Sequence, residues 1–87
     1  MFSGIVEETA IVTRLEKDQE NLHISLACSF LNELNIDQSI SHDGVCLTVV
    51  KKTEKDYTVT AILETLLKTN LGQWTVGSKV NVERSVR

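Results

Sequence analysis

The fold turns on HDGVCLTVV, residues 42–50. Asp43-Gly44 is a dipeptide suited to a two-residue hairpin loop, because both central positions of such a loop need φ > 0. The run that follows is rich in β-branched residues and reads as a strand. Side chains alternate along a strand, so Cys46 and Thr48 share one face. A thiol and a hydroxyl side by side either fill a gap in a core or line a face that looks into a ligand site.

Working outward, "SIS" (39–41) leads into the turn and "VCLTVVKK" (45–52) leaves it. "TEKD" (53–56) makes a second tight connection into a strand "YTVTAIL" (57–63). Upstream, "GIVEETAIVTRL" (4–15) predicts one long strand, bent near Glu7-Glu8, with "EKDQEN" (16–21) as its turn and "LHISLAC" (22–28) as its partner. Ser29 is placed to cap a short helix through "FLNELN" (30–35). "ETLLKTNLG" (64–72) has good helix formers, with Glu64 at the positive end of the dipole and Gly72 as the stop. A turn at Gly77-Ser78 precedes the final strand, in which Val80 and Val82 alternate with polar neighbours. Six short strands with turns roughly every ten residues predict an all-β fold: a small six-stranded antiparallel Greek-key barrel with one or two short helices.

Composition narrows the function. The 87 residues make one small domain, 1–87, or a piece of something larger, and the last strand running straight to Arg87 reads as one half of a longer chain. A net charge of -3 with scattered basic residues provides no electrostatic footprint for nucleic acid. Two Phe, one Tyr and one Trp also provide few stacking platforms for single strands. No apolar run approaches membrane-spanning length, and no secretory signal opens the chain. Cys28 and Cys46 lack CxxC spacing and read as two reduced thiols of a cytoplasmic protein. With His23 and His42 they form no metal set. His42 beside the turn reads as a solvated residue, and four residues across a turn is poor geometry for a Cys46–His42 nucleophile and base. Gly4 permits close approach of a ligand or another chain, or simply marks a bend. Glu64 and Thr65 either compensate and cap a helix or present polar groups to a hydroxyl-rich ligand.

Taken together, "MFSGIVEE", "HDGVCLTVV", "AILETLLKTNLG" and "VGSKVNVERS" resemble the amino-terminal half of the riboflavin synthase family, in its order and spacing across the whole chain. The resemblance implies a lumazine-binding barrel, the first of two in tandem, with the second absent from these residues. It implies 6,7-dimethyl-8-ribityllumazine or riboflavin as ligand, no metal or cofactor, and a dismutation of two lumazines to riboflavin and a pyrimidinedione. It assigns Cys46, Leu47 and Thr48 to one pocket strand, and Thr60, Ala61, Ile62, Leu63, Glu64 and Thr65 to a strand-to-helix segment. Gly4, Ile5 and Val6 become a strip touching ligand held by a partner barrel. Backbone groups would read the pteridine edge, and Thr48, Glu64 and Thr65 would meet the ribityl hydroxyls. Cys46, and less directly Ser39, are the expected catalytic groups. In the full-length family the productive site forms between barrels of different subunits of a trimer, so an isolated first barrel is expected to pair with itself as a homodimer. Ser3 stands where the family usually has Thr, and Leu67 where it often has Arg. Relatives of the same shape that carry lumazine or flavin without catalysis are the alternative.

Overall fold

The computed structural model describes residues 8–69 and 73–84. Six strands run through them: β1 (Glu8–Asp18), β2 (Asn21–Ala27), β3 (Ser39–His42), β4 (Val45–Lys52), β5 (Tyr57–Ala61) and β6 (Lys79–Arg84). All pairings are antiparallel, and the strands close into a barrel in the order β1-β2-β5-β4-β3-β6. The β2-to-β3 and β5-to-β6 connections skip neighbours, which gives the Greek-key character read from the sequence. Closure leaves no strand edge open, a strong advantage in so small a chain.

Alternation fills the barrel. Val12, Ile24, Leu26, Ile40, Val49, Tyr57, Val59, Val80 and Val82 are all fully buried, and each such side chain stabilises by roughly 1.5–3 kcal/mol on leaving water. Asp43 and Gly44 take φ of 50° and 87°, as a hairpin turn with two left-handed positions requires. Asp43 also ties this hairpin to β6. Its backbone N–H donates to the Asn81 carbonyl (2.8 Å), and its carboxylate accepts the Asn81 N–H (2.9 Å). At "TEKD", Thr53 Oγ1 accepts the backbone N–H groups of Lys55 and Asp56 (both 3.1 Å), locking the predicted connection.

Two β-bulges adjust the alternation. In β1, Val12 faces Leu26 and Arg14 faces Ser25, so Thr13 is an extra residue. Ala10 and Val12 point inward before it and Leu15 turns toward the core after it, a switch of parity that only an inserted residue permits. In β4, Val49 faces Val59 and Lys51 faces Thr58, which makes Val50 the extra residue and leaves it 49% exposed. β1 runs into the turn predicted at 16–21, as far as Asp18, and stays paired with β2 to that point after its bulge at Thr13.

Both helices are shorter than the sequence predicts. Ser29 does not cap: Phe30 holds that position, and only a 3-10 turn, Leu31–Glu33, follows. Its apolar side chains explain the outcome, since Phe30, Leu31 and Leu34 fold under as a plug for one barrel end. Lys52 Nζ donates to the Leu34 carbonyl (2.8 Å), and the Arg84 guanidinium lies 4.6 Å over the Phe30 ring while contacting Glu33 (3.3 Å). The second helix, α1, spans Leu63–Lys68, with Ile62 at its N-cap. The Thr69 hydroxyl donates to the Thr65 carbonyl (2.7 Å) as the backbone turns extended at Thr69, ending the helix early. Gly72, the predicted stop, lies outside the described residues. Cys28 and Cys46 form no disulfide.

Candidate functional site

The β3–β4 hairpin turns Ile40, His42, Leu47 and Val49 toward the core and directs Ser39, Ser41, Cys46 and Thr48 to the outer surface. Ser39 pairs directly with Thr48, and Ser41 with Cys46. Directly opposed residues on one face bring their Cβ atoms to about 5 Å, so these four small polar side chains form one patch. Cys46 and Thr48 are exposed, Ser39 is half-buried and Ser41 is buried. The thiol and hydroxyl of the opening stretch therefore lie on the outside of the barrel, not in its core. Thr60 of the neighbouring strand β5 is half-buried on the outer surface, paired with His23 of β2. At the end of β5, Ile62 is 52% exposed.

The structure thus brings Ser39, Cys46 and Thr48 together, with Thr60 on the outer face of the neighbouring strand β5 and Ile62 exposed at that strand's end. Leu47 and Ala61 point inward and are buried, leaving their main chains as their only groups for a ligand. Thr65 is half-buried on α1, and the side chains of Leu63 and Glu64 fall outside the described part of the structure, as do residues Gly4, Ile5 and Val6. Sequence reasoning passed over Ser41, although its alternation with Ile40 placed it beside Ser39.

His42 overturns the reading of a solvated turn residue. It is fully buried, flanked by Tyr57 (ring centroids 5.8 Å) and Trp74 (6.5 Å). Its Nδ1–H donates to the Ile40 carbonyl (2.9 Å), so its Nε2 accepts the Tyr57 hydroxyl (2.9 Å). Burial strips the imidazolium of water and lowers the pKa to about 4, against smaller upward pushes from the Ile40 carbonyl and Asp43. Satisfying both nitrogens is what makes the inward position tolerable. The ring points away from Cys46, which removes the dyad on geometric grounds.

His23 and Ser25 alternate with Leu22, Ile24 and Leu26 on β2 and so face outward. Across the barrel surface, Arg14, Ser25, Thr58 and Lys51 form one cross-strand row. Ser25 and Thr58 hydrogen-bond to each other (2.9 Å) on the floor of a groove of about 310 Å³, which His23 and Val50 also line. In the adjoining row, His23 Nδ1 lies 2.8 Å from Thr60 Oγ1 and its Nε2 lies 3.3 Å from Asp18. A second hollow, about 240 Å³, lies between Lys17, Asn21, Leu22 and Leu66. Among the described residues no three His, Cys, Asp or Glu side chains gather as a metal site. Nor is any helix long and apolar enough to cross a membrane.

Comparison with known proteins places this barrel. The riboflavin synthase of Bacillus subtilis (strain 168) is 38% identical over 87 residues, covering 99% of this chain and 40% of that protein. That of Escherichia coli (strain K12) is 39% identical over 89 residues, covering 100% and 42%. That of Chlamydia trachomatis serovar D is 37% identical, covering 100% and 44%. The chain therefore spans about two fifths of the length of these relatives. In fold, it matches a crystal structure of LumP complexed with riboflavin at a TM-score of 0.90 and 23% identity, over 97% of this chain and 46% of LumP. The family model described as lumazine binding domain matches residues 3–85, and the chain belongs to that family.

Proposed function

We infer that this chain is the amino-terminal lumazine-binding barrel of a riboflavin synthase. It would hold 6,7-dimethyl-8-ribityllumazine, or riboflavin, against the outer face of β3 and β4 and the β5–α1 junction. The observation that carries this is the pairing of Ser39 with Thr48 and Ser41 with Cys46. It is an outward-facing patch of small polar groups in a chain that, over its whole length, matches about two fifths of riboflavin synthases. Small side chains leave room for a flat heterocycle, and the main chain of residues 61–63 supplies donors and acceptors for its polar edge. Thr48 and Thr65, with Glu64, are assigned to the ribityl hydroxyls.

In the complete protein the barrel would help catalyse the dismutation of two lumazines, in which one donates a four-carbon unit to the other. The 7-methyl protons of such a ring are acidic, so holding two rings face to face removes much of the barrier by orientation. Cys46 handles a proton or polarises the ring beside it, with Ser39 next to it through Thr48. The chemistry calls for no metal or organic cofactor. The second ring is assigned to another barrel: a second subunit of a trimer in the complete enzyme, or a second copy in a homodimer of this chain. Gly4, Ile5 and Val6 are assigned to that contact. Two cysteines without a disulfide suit the cytoplasm.

A second reading, a non-catalytic carrier of lumazine or flavin, draws on the match to the riboflavin-bound LumP fold. Turnover separates the two. In a chain carrying both barrels, Cys46→Ser should lower riboflavin formation about tenfold or more while ligand binding survives. A parent protein that binds lumazine and forms no riboflavin is the carrier.

A further inference from the structure

The two described histidines are wired in opposite senses, and the half-buried one controls a hydroxyl of the candidate site. Asp18 is a carboxylate and can only accept, so the hydrogen bond at His23 Nε2 (3.3 Å) requires the proton to sit on Nε2. Nδ1 of the neutral ring is then a lone pair, and the 2.8 Å contact to Thr60 Oγ1 is a hydrogen bond donated by the threonine. The single proton of Thr60 is committed to the ring. What Thr60 presents outward is an acceptor. Protonating His23 reverses this: both ring nitrogens donate, Thr60 accepts from Nδ1–H, and its own O–H turns free to donate.

We propose that His23, oriented by Asp18, is a positioning residue that sets the hydrogen-bonding polarity of Thr60 and thereby the ligand edge this face accepts. This rests on the lumazine-binding reading above. With His23 neutral, Thr60 favours a donor edge, such as the ring imide N–H of a pteridine or flavin, over a carbonyl. With His23 charged, the preference inverts. Polar and charged groups face the ring from three strands. Asp18, Glu16 and Arg14 come from β1, the Thr58 and Thr60 hydroxyls from β5, and Lys51 from β4 across the groove. Val50 is the one apolar wall.

The test has one part that needs no ligand. Nitrogen-15 spectra of the imidazoles near neutral pH should show His23 as the Nε2–H tautomer and His42 as the Nδ1–H tautomer in the same sample. Asp18→Ala should turn His23 into a mixture. Riboflavin affinity, read by flavin fluorescence, should then weaken about threefold to tenfold between about pH 8 and about pH 5.5, the worth of one hydrogen bond. Thr60→Val should bind with little dependence on pH. An Nδ1–H tautomer at His23 overturns the proposal while leaving riboflavin binding intact. So does a pH dependence that is missing in the wild type or persists undiminished in Thr60→Val. A folded protein with the expected tautomer that binds no riboflavin at either pH overturns the functional reading first, and this proposal with it.

Discussion

Lowering the pH should destabilise this barrel through His42. The unfolded chain takes up a proton at this imidazole near 6.5, whereas the folded chain resists until about 4 because burial removes the water that stabilises the charge. Between those values the unfolded state binds more protons. Stability contributed by the neutral ring is therefore complete above 6.5 and is lost as the pH falls toward 4, by up to about 1.4 kcal/mol per pH unit. Over the window the loss sums to about 3 kcal/mol, a large share of the 5–15 kcal/mol typical of a domain. Urea unfolding at steps from about pH 7 to about pH 4 measures it, with His42→Gln as the control. Every other group is common to both proteins, so the difference between the two curves isolates His42. Should His42→Gln fail to fold, the His42 ring can be titrated directly by NMR in the wild type. Parallel stability curves, or a ring that protonates near 6.5 in the folded protein, would refute the burial argument.

Other outcomes follow from single contacts. Tyr57→Phe removes the donor to His42 Nε2 and should destabilise by about 1–3 kcal/mol in urea unfolding, since a buried acceptor loses its partner. Gly44→Ala should cost about 1–2 kcal/mol by the same measurement. No atom crowds its missing Cβ, so the penalty comes from the φ of 87° alone. Cys46→Ser, on an exposed outer position, should change stability by less than about 0.5 kcal/mol, so any loss of activity it causes is chemical.

Much of the barrel was legible because its signals are local. Asp43-Gly44 and Thr53–Asp56 are turns that short-range sterics and hydroxyl bonding dictate, and period-two alternation marked β2 and β6. The bulges at Thr13 and Val50 were not legible, since an extra residue becomes visible only against the partner strand. The 3-10 turn was overread as a helix because Phe30, Leu31 and Leu34 are recruited to plug the barrel, a tertiary demand that overrides capping. His42 was misplaced for a similar reason. Proximity to a turn argued for solvent, while Tyr57, fifteen residues on, supplied the hydrogen bond that allows burial. For the candidate site, spacing alone put Cys46 and Thr48 on one face. That the face is the outer one, with Ser39, Ser41 and Thr60 around it, depends on closure of the sheet.

The most direct test of the ligand assignment is a map of backbone amide shifts as riboflavin is added to this chain. Saturable changes are expected to centre on Ser39, Cys46, Thr48, Ile62 and Thr65, with little at Arg14 or Lys51 across the groove. Changes centred on Arg14, Ser25 and Lys51 instead, or none in a folded protein, would contradict it.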